Sequence, residues 1–577
     1  MQRHRLWLPP LKLACCLSTR NVSLGFQGYR DNNDEWGCTL SVEAKLVTGE
    51  STQLLNPSSK LLNLARTIGV LAVVIAVFRL AWVSDDALIT LRTALNITHN
   101  WGPGYNATES VQAYTHPLWF LIWTGIGSLS NQWILGMLFA SIAFTGLAVG
   151  LLMWRAMSLS RIILVLGFLL FSNAFIEYST SGLENPLSYT GIALVGVLAL
   201  TAGPAPRWNW ALWFGLASAA LLLTRFDLVL MVAPWILLIS WRLRHSLTVL
   251  AVAAAAFFAP LFIWFTWSQL TYSTWLPNTF EAKRNVDIPA TELVVQGFRY
   301  LMVTFEHDPV TLIGLVLGLG AALLMGNGVI RAGAIGGLIY IGYIVWIGGD
   351  FMAGRFLAVP LFLAMLLLAA LPTLTSEVTP AGVASSTVVI LILVVGSTAA
   401  GSTPVSLANP KEQRWEVDQN FNAGVSDERG IYVSLGRDLK GIIDNLSLAF
   451  VDAPIVGYGD GTALNRALRN LDRTAKEWPV NDGSFTLPSE TQPMCGFLGT
   501  VGIVTGPTAH LVDTCALTDR YLAQRSYVPA EPFAWKPGHF QREIPQGYLD
   551  AVATGDPSRV IDGKDRFELE DLWAKIR

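Results

Sequence analysis

The stretch RTIGVLAVVIAVFRLAWVSDDALITLR, residues 66–92, decides the fold of this chain. An apolar segment near the length of a membrane-spanning helix, about 20 residues, is followed at once by two adjacent carboxylates, Asp85 and Asp86. An aspartate at membrane depth costs roughly 2.5–3.5 kcal/mol on insertion scales. The acid pair at the end of the first span therefore indicates a functional site. The alternative is that the two acids only end the helix at the lipid headgroups.

The composition extends this apolar character to most of the chain. Of the 577 residues, 52% are hydrophobic and 14% are charged, whereas soluble domains carry about 25% charged residues. The net charge of −3 is uninformative, but the sequence has no basic block suited to binding nucleic acid. We predict a polytopic α-helical membrane protein with about 11 transmembrane helices. The apolar segments lie at 67–83, 117–130, 133–154, 162–178, 186–202, 209–224, 228–241, 246–268, 309–325, 331–347, 356–372 and 385–401.

Polarity divides the chain into three predicted parts. Residues 1–60 are mostly polar and show no helical periodicity, so we expect a disordered leader or a start codon further downstream. Residues 61–402 hold the apolar segments, with a first loop at 84–117. Residues 403–577 carry about half of the charged residues. Because this tail also has short apolar runs typical of strands, at 431–433 and 501–504, we predict a soluble mixed α/β domain.

Charge and cysteine positions indicate an orientation. Lys60 and Arg66 precede the first span, which favours a cytoplasmic start. The first loop then lies on the extracytoplasmic side. A disulfide between Cys495 and Cys515 would place the tail on that oxidising side, although two buried free thiols would fit the sequence equally well. We predict a multi-pass plasma-membrane protein with its active site and C-terminal domain extracytoplasmic.

The first loop begins with a predicted helix. Ser84 is a plausible N-cap. Asp85 and Arg92 fall on one face of that helix, and His116 opens the second span at the far end of the loop. The apolar positions have the spacing of a membrane-surface helix, and they are Leu88, Leu91 and Leu95.

Further polar groups interrupt the apolar sequence and supply acids and cations at membrane depth. They are Glu184, Arg225, Asp227, Lys283, Asp350 and Arg355. A lipid phosphate needs Lys or Arg in a partly desolvated pocket, and a sugar hydroxyl or anomeric carbon needs a carboxylate. The same residues also suit structural roles, since Arg225 with Asp227 can be a salt bridge and Lys283 an interfacial anchor.

At these residues the chain resembles the actinobacterial terminal β(1→2)-arabinofuranosyltransferases, which lie in the GT-C superfamily of polyprenyl-phosphate-dependent membrane glycosyltransferases. The resemblance extends from about residue 60 to about residue 550, and its ordered set of motifs is more specific than the Asp-Asp pair alone. The motifs are SDDALITLR (84–92), AYTHPLW (113–119), SGLENPL (181–187), LPNTFEAK (276–283), GGDFMAGRF (348–356), VDTCALTDRYLAQ (512–524) and WKPGHFQREIPQGY (535–548).

The resemblance implies a GT-C fold and a reaction. The implied donor is decaprenyl-phosphoryl-D-arabinofuranose, and the implied acceptors are the arabinan ends of arabinogalactan and lipoarabinomannan. Asp85 and Asp86 would be the catalytic acid/base or nucleophilic pair. Donor and product of that family are both β-linked, so the reaction implies net retention and a carboxylate nucleophile or an ion-pair route.

Around the acid pair we predict two further groups of residues. The candidates for binding the donor phosphate are Lys283, Arg355 and Arg92. The candidates for acceptor contact or for supporting the acids are His116, Glu184, Asp350, Arg225 and Asp227.

Cofactors and other function classes stay open at this point. No cofactor is certain, although an Asp-Asp pair can ligate a divalent cation through oxygen. A polytopic transporter or a lipid-linked sugar flippase is the alternative function, but the chain shows no internal repeat and its acids lie in a loop. A non-catalytic scaffold for envelope assembly is a third possibility.

Overall fold

The structure is a computed structural model that describes residues 18–19, 22–30, 36–43, 57–203, 206–372, 384–391, 421–422, 424–434 and 471–577. The chain forms two compact units, Met1–Lys60 and Leu61–Arg577.

The first unit contains a small antiparallel sheet where we expected disorder. Its strands are β1 (Ser18–Thr19), β2 (Val22–Arg30) and β3 (Trp36–Glu43), and Phe26 pairs with Leu40 near the middle of the β2–β3 ladder. The sequence of β2 and β3 alternates apolar and polar residues with a period of two. This two-residue period is typical of strands and is invisible to a test for helical periodicity.

The second unit begins with a long series of helices. Every predicted apolar segment falls on a helix, with residues 392–401 of the last one outside the described residues. The helices are α1 (Pro57–Arg79), α2 (Asp85–Thr98), α3 (Pro117–Ser130), α4 (Trp133–Arg155), α5 (Leu159–Phe171), α6 (Asn173–Glu177), α7 (Asn185–Thr201), α8 (Trp208–Thr224), α9 (Val229–Leu243), α10 (Leu247–Tyr272), α11 (Asn278–Arg284), α12 (Ala290–His307), α13 (Pro309–Met325), α14 (Gly328–Trp346), α15 (Arg355–Ala370) and a short helix at 384–391.

The helices make this a multi-pass membrane protein. Among the described residues, five helices are long and apolar enough to cross a bilayer: Ser59–Arg79, Trp133–Arg155, Phe226–Leu243, Leu247–Tyr272 and Gly328–Trp346. A sixth span is possible if α12 and α13, which bend by 110° at their junction, form one crossing. Four shorter apolar helices, α5, α7, α8 and α15, add to these. The number of about 11 transmembrane helices stays a prediction.

Helix α15 is the centre of the bundle. Nearly all of its side chains are buried, and it packs against α7, α13 and α14. Helices α8 and α10 pack along one another, as do α4 and α7. Since the first residue of α15 is Arg355, the same helix that anchors the core also starts at the candidate site.

The described part of the tail mixes short helices with short strands. Strands β4 (Phe421–Asn422) and β5 (Val425–Ser426) are antiparallel, and β6 (Glu490–Met494) pairs in parallel with β7 (Ala509–Asp513). The helices are Glu428–Ser434, Leu471–Lys476, Leu498–Thr505, Arg520–Gln524, Tyr548–Thr554 and Gly563–Ile576. These segments belong to the same compact unit as the membrane helices. A separate soluble domain at 403–577 therefore stays a prediction.

Two predicted tail strands, at 431–433 and 501–504, are helical instead. For the second, the cause is packing against α2, since a Cβ added at Gly499 would lie only 2.0 Å from the Asp85 carbonyl oxygen. Such tertiary contacts override strand propensity. The same contact corrects the prediction for α2, whose apolar side chains are buried within the protein and do not form a membrane-surface face. The fully buried residues are Leu88, Leu91 and Leu95.

Candidate functional site

Four helices begin at one place. Asp86 lies in the first turn of α2, His116 precedes α3, Glu184 precedes α7, and Arg355 starts α15. Ion-pair distances link them in a chain from Asp86 through Arg355 and Glu184 to His116. Helix N-termini carry partial positive charge and favour anions. The convergence therefore suits both the carboxylates present and an incoming phosphate.

Arg355 lies among three carboxylates. Its Nη1 is 3.8 Å from Asp86 Oδ2 and 3.6 Å from Asp350 Oδ2, and its Nη2 is 3.6 Å from Glu184 Oε1. These separations are ion pairs longer than a hydrogen bond. Asp350 Oδ2 is buried and has no hydrogen-bond partner within the described part of the chain. Arg355 thus balances the negative charge of the site. Its Nη1 donates a weak hydrogen bond to the Met352 sulfur at 3.6 Å, which a phosphate oxygen could replace with a tighter one.

The structure separates the roles of the two neighbouring aspartates. Asp85 is 5% exposed, and its carboxylate accepts the backbone N–H of Gly499 at 2.8 Å, the N–H of Thr500 at 2.8 Å, and the Thr500 hydroxyl. The Asp86 side chain is 31% exposed and faces Arg355. Asp85 therefore serves as an anchor for the tail, and Asp86 is the carboxylate that a substrate can reach.

The local environment also sets the protonation of Asp86. Desolvation at the site raises its pKa to about 6, and the charges of Asp85 and Asp350 add to this, while Arg355 and Lys283 oppose it. A carboxyl group with this pKa is mostly ionised at pH 7. It can therefore act as a nucleophile or a base near neutral pH.

Arg92 does not join the site. Its buried guanidinium donates from Nη2 to the carbonyl oxygens of Gly506 (3.1 Å) and Ala509 (2.7 Å), and it lies 4.5 Å from the centre of the Tyr105 ring. These carbonyls follow the C-terminal end of the tail helix Leu498–Thr505. The structure thus gives Arg92 a role in holding the tail, in place of the phosphate contact predicted from sequence. The residue type suited a phosphate, but the partner lay more than 400 positions away in the chain.

His116 and Glu184 form a buried support behind the site. His116 Nδ1 lies 3.3 Å from Glu184 Oε2, and its Nε2 lies 3.0 Å from the Thr90 hydroxyl. Although burial opposes ionisation, Arg355 and His116 together hold the pKa of Glu184 below its ordinary value. Glu184 is therefore a fixed negative charge that orients Arg355.

Arg225 and Asp227 form an ion pair with two hydrogen bonds beside Glu184. Arg225 Nε and Nη2 donate to the two carboxylate oxygens of Asp227 at 3.0 and 2.5 Å, and the Tyr340 hydroxyl donates to the same carboxylate at 2.8 Å. Arg225 Nη1 also lies 3.4 Å from Glu184 Oε1. Of the two interpretations left open by the sequence, this geometry favours a structural pair that supports Glu184.

Lys283 supplies a cation on the open side of the site. It lies in α11 and is exposed to solvent, and a Cβ added at Gly538 would be 3.8 Å from its ammonium nitrogen. Its pKa is lowered mainly by desolvation, and the charges of Asp350, Arg355 and Asp86 all act on it. The same added Cβ would lie 3.7 Å from the Phe351 ring, so Lys283 lies beside the loop that carries Asp350 and Arg355.

Two tail residues at the site were not predicted. Ser426 donates its N–H to the Phe351 carbonyl at 2.7 Å and accepts the Ala353 N–H at 3.0 Å, which brings Glu428 to the edge of the loop GGDFMAGRF. The Lys536 ammonium lies 4.7 Å from the centre of the Phe351 ring. Lys536 belongs to the motif WKPGHFQREIPQGY, so its motif was a usable signal. No pattern in the sequence distinguished Glu428 from other tail acids.

The remaining candidates concern a disulfide and a metal. The structure joins Cys495 to Cys515 in a disulfide, with their Cα atoms 5.2 Å apart. Among the described residues, no group of three or more His, Cys, Asp or Glu side chains is placed to hold a metal ion. A divalent cation therefore stays a prediction.

Comparison with known proteins gives one clear sequence relative. The chain is 28% identical over 417 residues to the terminal β-(1→2)-arabinofuranosyltransferase of Corynebacterium glutamicum. The predicted resemblance to these transferases is confirmed. The match covers 61% of this chain and only 55% of the length of that relative. No protein-family model matches the chain.

Two solved structures also resemble the chain. ArnT from Cupriavidus metallidurans bound to undecaprenyl phosphate aligns with a TM-score of 0.45 and 12% identity, over 88% of this chain and 91% of that one. The apo state of ArnT from the same organism aligns with a TM-score of 0.42 and 13% identity, over 89% of this chain and 91% of that one.

Proposed function

We propose that this chain is a membrane glycosyltransferase that transfers D-arabinofuranose from decaprenyl-phosphoryl-D-arabinofuranose to the arabinan ends of arabinogalactan and lipoarabinomannan. It would form the terminal β(1→2) linkages of the cell wall. The observation that carries the proposal is Asp86, a reachable carboxylate 3.8 Å from Arg355 where four helix N-termini meet. The sugar and linkage come from the relative in Corynebacterium glutamicum.

Asp86 is the proposed nucleophile. One of its carboxylate oxygens attacks the anomeric carbon, the bond from that carbon to the phosphate oxygen breaks, and polyprenyl phosphate leaves with the bonding electrons. The acceptor oxygen then attacks the same carbon and restores the Asp86 carboxylate. Two inversions give net retention, as the family resemblance requires.

The cations serve the leaving group. Lys283, on the open side, and Arg355, held loosely by its carboxylates, are the proposed ligands of the donor phosphate. Glu184 and Asp350 position Arg355, and His116, Arg225 and Asp227 support Glu184. The reaction site and tail would lie on the extracytoplasmic side of the plasma membrane, where the donor lipid and the glycan acceptor meet.

A cell-free assay tests the function. The full chain in lipid nanodiscs receives labelled decaprenyl-phosphoryl-arabinofuranose and a synthetic arabinan acceptor, with and without a chelator, and linkage analysis identifies the product. We expect a terminal β(1→2) product from the wild type and none from Asp86→Asn, while the exposed control Glu490→Gln behaves as wild type. Donor movement across vesicle membranes without sugar transfer would instead support the flippase alternative.

A further inference from the structure

We propose that Glu428, on the tail, is the base that removes the proton from the acceptor hydroxyl, so that the tail completes the reaction site. The inference rests on the proposed transfer reaction and adds the residue that activates the acceptor. Asp86 cannot act as this base, because in the proposed reaction its carboxylate is bonded to the sugar when the acceptor attacks.

The backbone around Glu428 is fixed to the site loop. Ser426 forms two backbone hydrogen bonds with the segment that contains Phe351 and Ala353, between Asp350 and Arg355 in the chain. The Ser426 hydroxyl also donates to the Phe351 carbonyl oxygen at 3.1 Å. Glu428 lies two residues further on, at the start of the helix Glu428–Ser434. Its position relative to the site loop is therefore set by backbone contacts on both sides of Met352.

Other contacts hold the same helix. Arg429 donates from Nε to the Leu80 carbonyl oxygen at 3.1 Å, and the Tyr432 ring stacks on Trp82 with their centres 6.1 Å apart. Leu80 and Trp82 lie in the connection between α1 and α2, just before the acid pair. The helix thus joins the two segments that carry Arg355 and Asp86.

The carboxylate itself is oriented and mostly enclosed. Glu428 is 5% exposed, and its Oε1 accepts the Ser426 hydroxyl at 2.7 Å. Oε2 takes no part in that bond, which leaves it for a substrate proton. A carboxylate fixed through one oxygen and available through the other has the arrangement that a general base requires.

The charges around Glu428 suit proton transfer near neutral pH. Burial raises its pKa to about 7, the negative charges of Asp86 and Asp85 contribute, and Lys536 and the Ser426 hydroxyl oppose the shift. A base is most effective when its pKa lies near the working pH. The helix that begins at Glu428 contacts both the loop before Arg355 and the connection before Asp86, so we infer that Glu428 and Asp86 line one reaction space.

The chemical step balances with these groups alone. The acceptor oxygen forms a bond to the anomeric carbon while the bond from that carbon to the Asp86 oxygen breaks, and its electrons return to the Asp86 carboxylate. The acceptor proton passes to Glu428 Oε2. Release of that proton to water after product departure resets the site.

The plainer alternative is that Glu428 only balances the charge of Lys536. The two roles differ in which step they affect. A general base acts on the acceptor step alone, and its loss is bypassed by a nucleophile that carries no proton. A charge-balancing residue would affect folding, donor binding and both steps together.

The test measures the two steps separately in the full chain. Without acceptor, release of decaprenyl phosphate reports the donor step; with a synthetic arabinan, labelled product reports the acceptor step. For Glu428→Gln we expect acceptor transfer to fall by about 10²–10⁴-fold, with a stoichiometric release of decaprenyl phosphate retained.

For Glu428→Ala we expect added azide to restore turnover and to give arabinofuranosyl azide. The exposed control Glu477→Gln should behave as wild type.

Each other result has a defined meaning. Near-normal transfer by Glu428→Gln, beside an inactive Asp86→Asn, would overturn the base role and leave the transferase intact. The base role would also be wrong if the Glu428 variants lost both decaprenyl phosphate release and sugar transfer and azide did not restore turnover. That result would indicate a structural role for Glu428. A wild-type chain that shows neither step would instead remove the proposed function.

Discussion

Asp85 and Arg92 bind opposite ends of one tail helix. The Asp85 carboxylate accepts the N–H groups at the start of Leu498–Thr505, and the Arg92 guanidinium donates to carbonyls at and beyond its end. Acid at the N-terminus and base at the C-terminus complement the helix dipole. Gly502 permits the close approach, since an added Cβ would lie 2.8 Å from Arg92 Nη1. The tail therefore fixes the segment of α2 that presents Asp86.

Substitution of the two aspartates should give different results. Asp86→Asn should abolish transfer without lowering thermal stability, because it removes a partly desolvated charge. Asp85→Ala leaves two buried N–H groups and a hydroxyl without their acceptor, so we expect unfolding to become easier by about 1–3 kcal/mol, with partial loss of transfer. Thermal unfolding in detergent and kcat measure the two effects. A fully stable but inactive Asp85→Ala variant would place Asp85 in the reaction itself.

Arg92→Met tests the contact at the C-terminal end of the tail helix Leu498–Thr505. The partly buried carbonyl of Gly506 and the buried carbonyl of Ala509 lose their donor. We expect about 1–3 kcal/mol of destabilisation and faster proteolytic cleavage of the tail. The KM for donor should stay within about twofold, a difference of some 0.4 kcal/mol, because Arg92 does not reach the site. The control is the exposed Arg79→Met. A large rise in donor KM with unchanged proteolysis would restore the phosphate role predicted from sequence.

The helices were predictable because a helix that crosses a bilayer needs a run of mainly apolar residues, which the sequence shows directly. The apolar segments and the N-cap at Ser84, whose hydroxyl accepts the Ala87 N–H at 3.3 Å, follow from local sequence. The residues Asp86, Arg355, Glu184 and Asp350 were also predicted, since charge in an apolar chain needs a partner, and the structure brings them together.

The division between Asp85 and Asp86 was not predictable. It depends on Gly499 and Thr500, which lie more than 400 residues further along the chain, and local sequence carries no information on such a contact. Gly499 and Thr500 lie in the tail helix Leu498–Thr505, whose local sequence predicts a strand because Val501 and Ile503 favour strands. Its helical state comes from the charges and close packing that α2 provides. For the same reason Glu428 could not be distinguished from other tail acids.

Lys283→Met tests the donor phosphate contact. Loss of a charge-assisted bond to a phosphate should raise the donor KM by about 10- to 100-fold, corresponding to roughly 1.5–3 kcal/mol, with less effect on kcat. Since Lys283 is exposed, thermal stability should not change. The neighbouring Arg284→Met is a matched control, because Arg284 is also an exposed cation on α11. Equal effects of both substitutions would indicate general electrostatic attraction in place of a specific contact.

The disulfide should stabilise the tail helix Leu498–Thr505, which Asp85 and Arg92 hold at its two ends. Cys495 lies three residues before the helix Leu498–Thr505, and Cys515 follows β7. Replacement of both cysteines by serine removes a cross-link over 20 residues, and we expect a loss of about 2–4 kcal/mol. Thermal unfolding of the variant, beside wild type under reducing and non-reducing conditions, measures it. An unchanged midpoint would show that the contacts of Asp85 and Arg92 hold the helix without the cross-link.

Asp86 predicts opposite pH dependence for activity and stability. Its pKa rises from 3.8 to about 6 in the folded protein, chiefly through desolvation, so the folded state binds the proton more tightly than the unfolded chain. Ionisation of Asp86 therefore lowers stability as pH rises from about 4 to 6. The nucleophile must be ionised, so transfer should increase over the upper part of this range and fall as pH drops through about 6.

Measurement of both quantities in one variant separates this effect from other acids. Asp86→Asn should remove the part of the stability change that falls between about pH 4 and 6. Glu428→Gln should instead remove a part that extends to about pH 7, because the pKa of Glu428 is also raised. The burst of decaprenyl phosphate release should follow the ionisation of Asp86, because this step precedes any role of the acceptor. A burst that is independent of pH between 5 and 7 would mean that Asp86 is already fully ionised and that another group sets the profile.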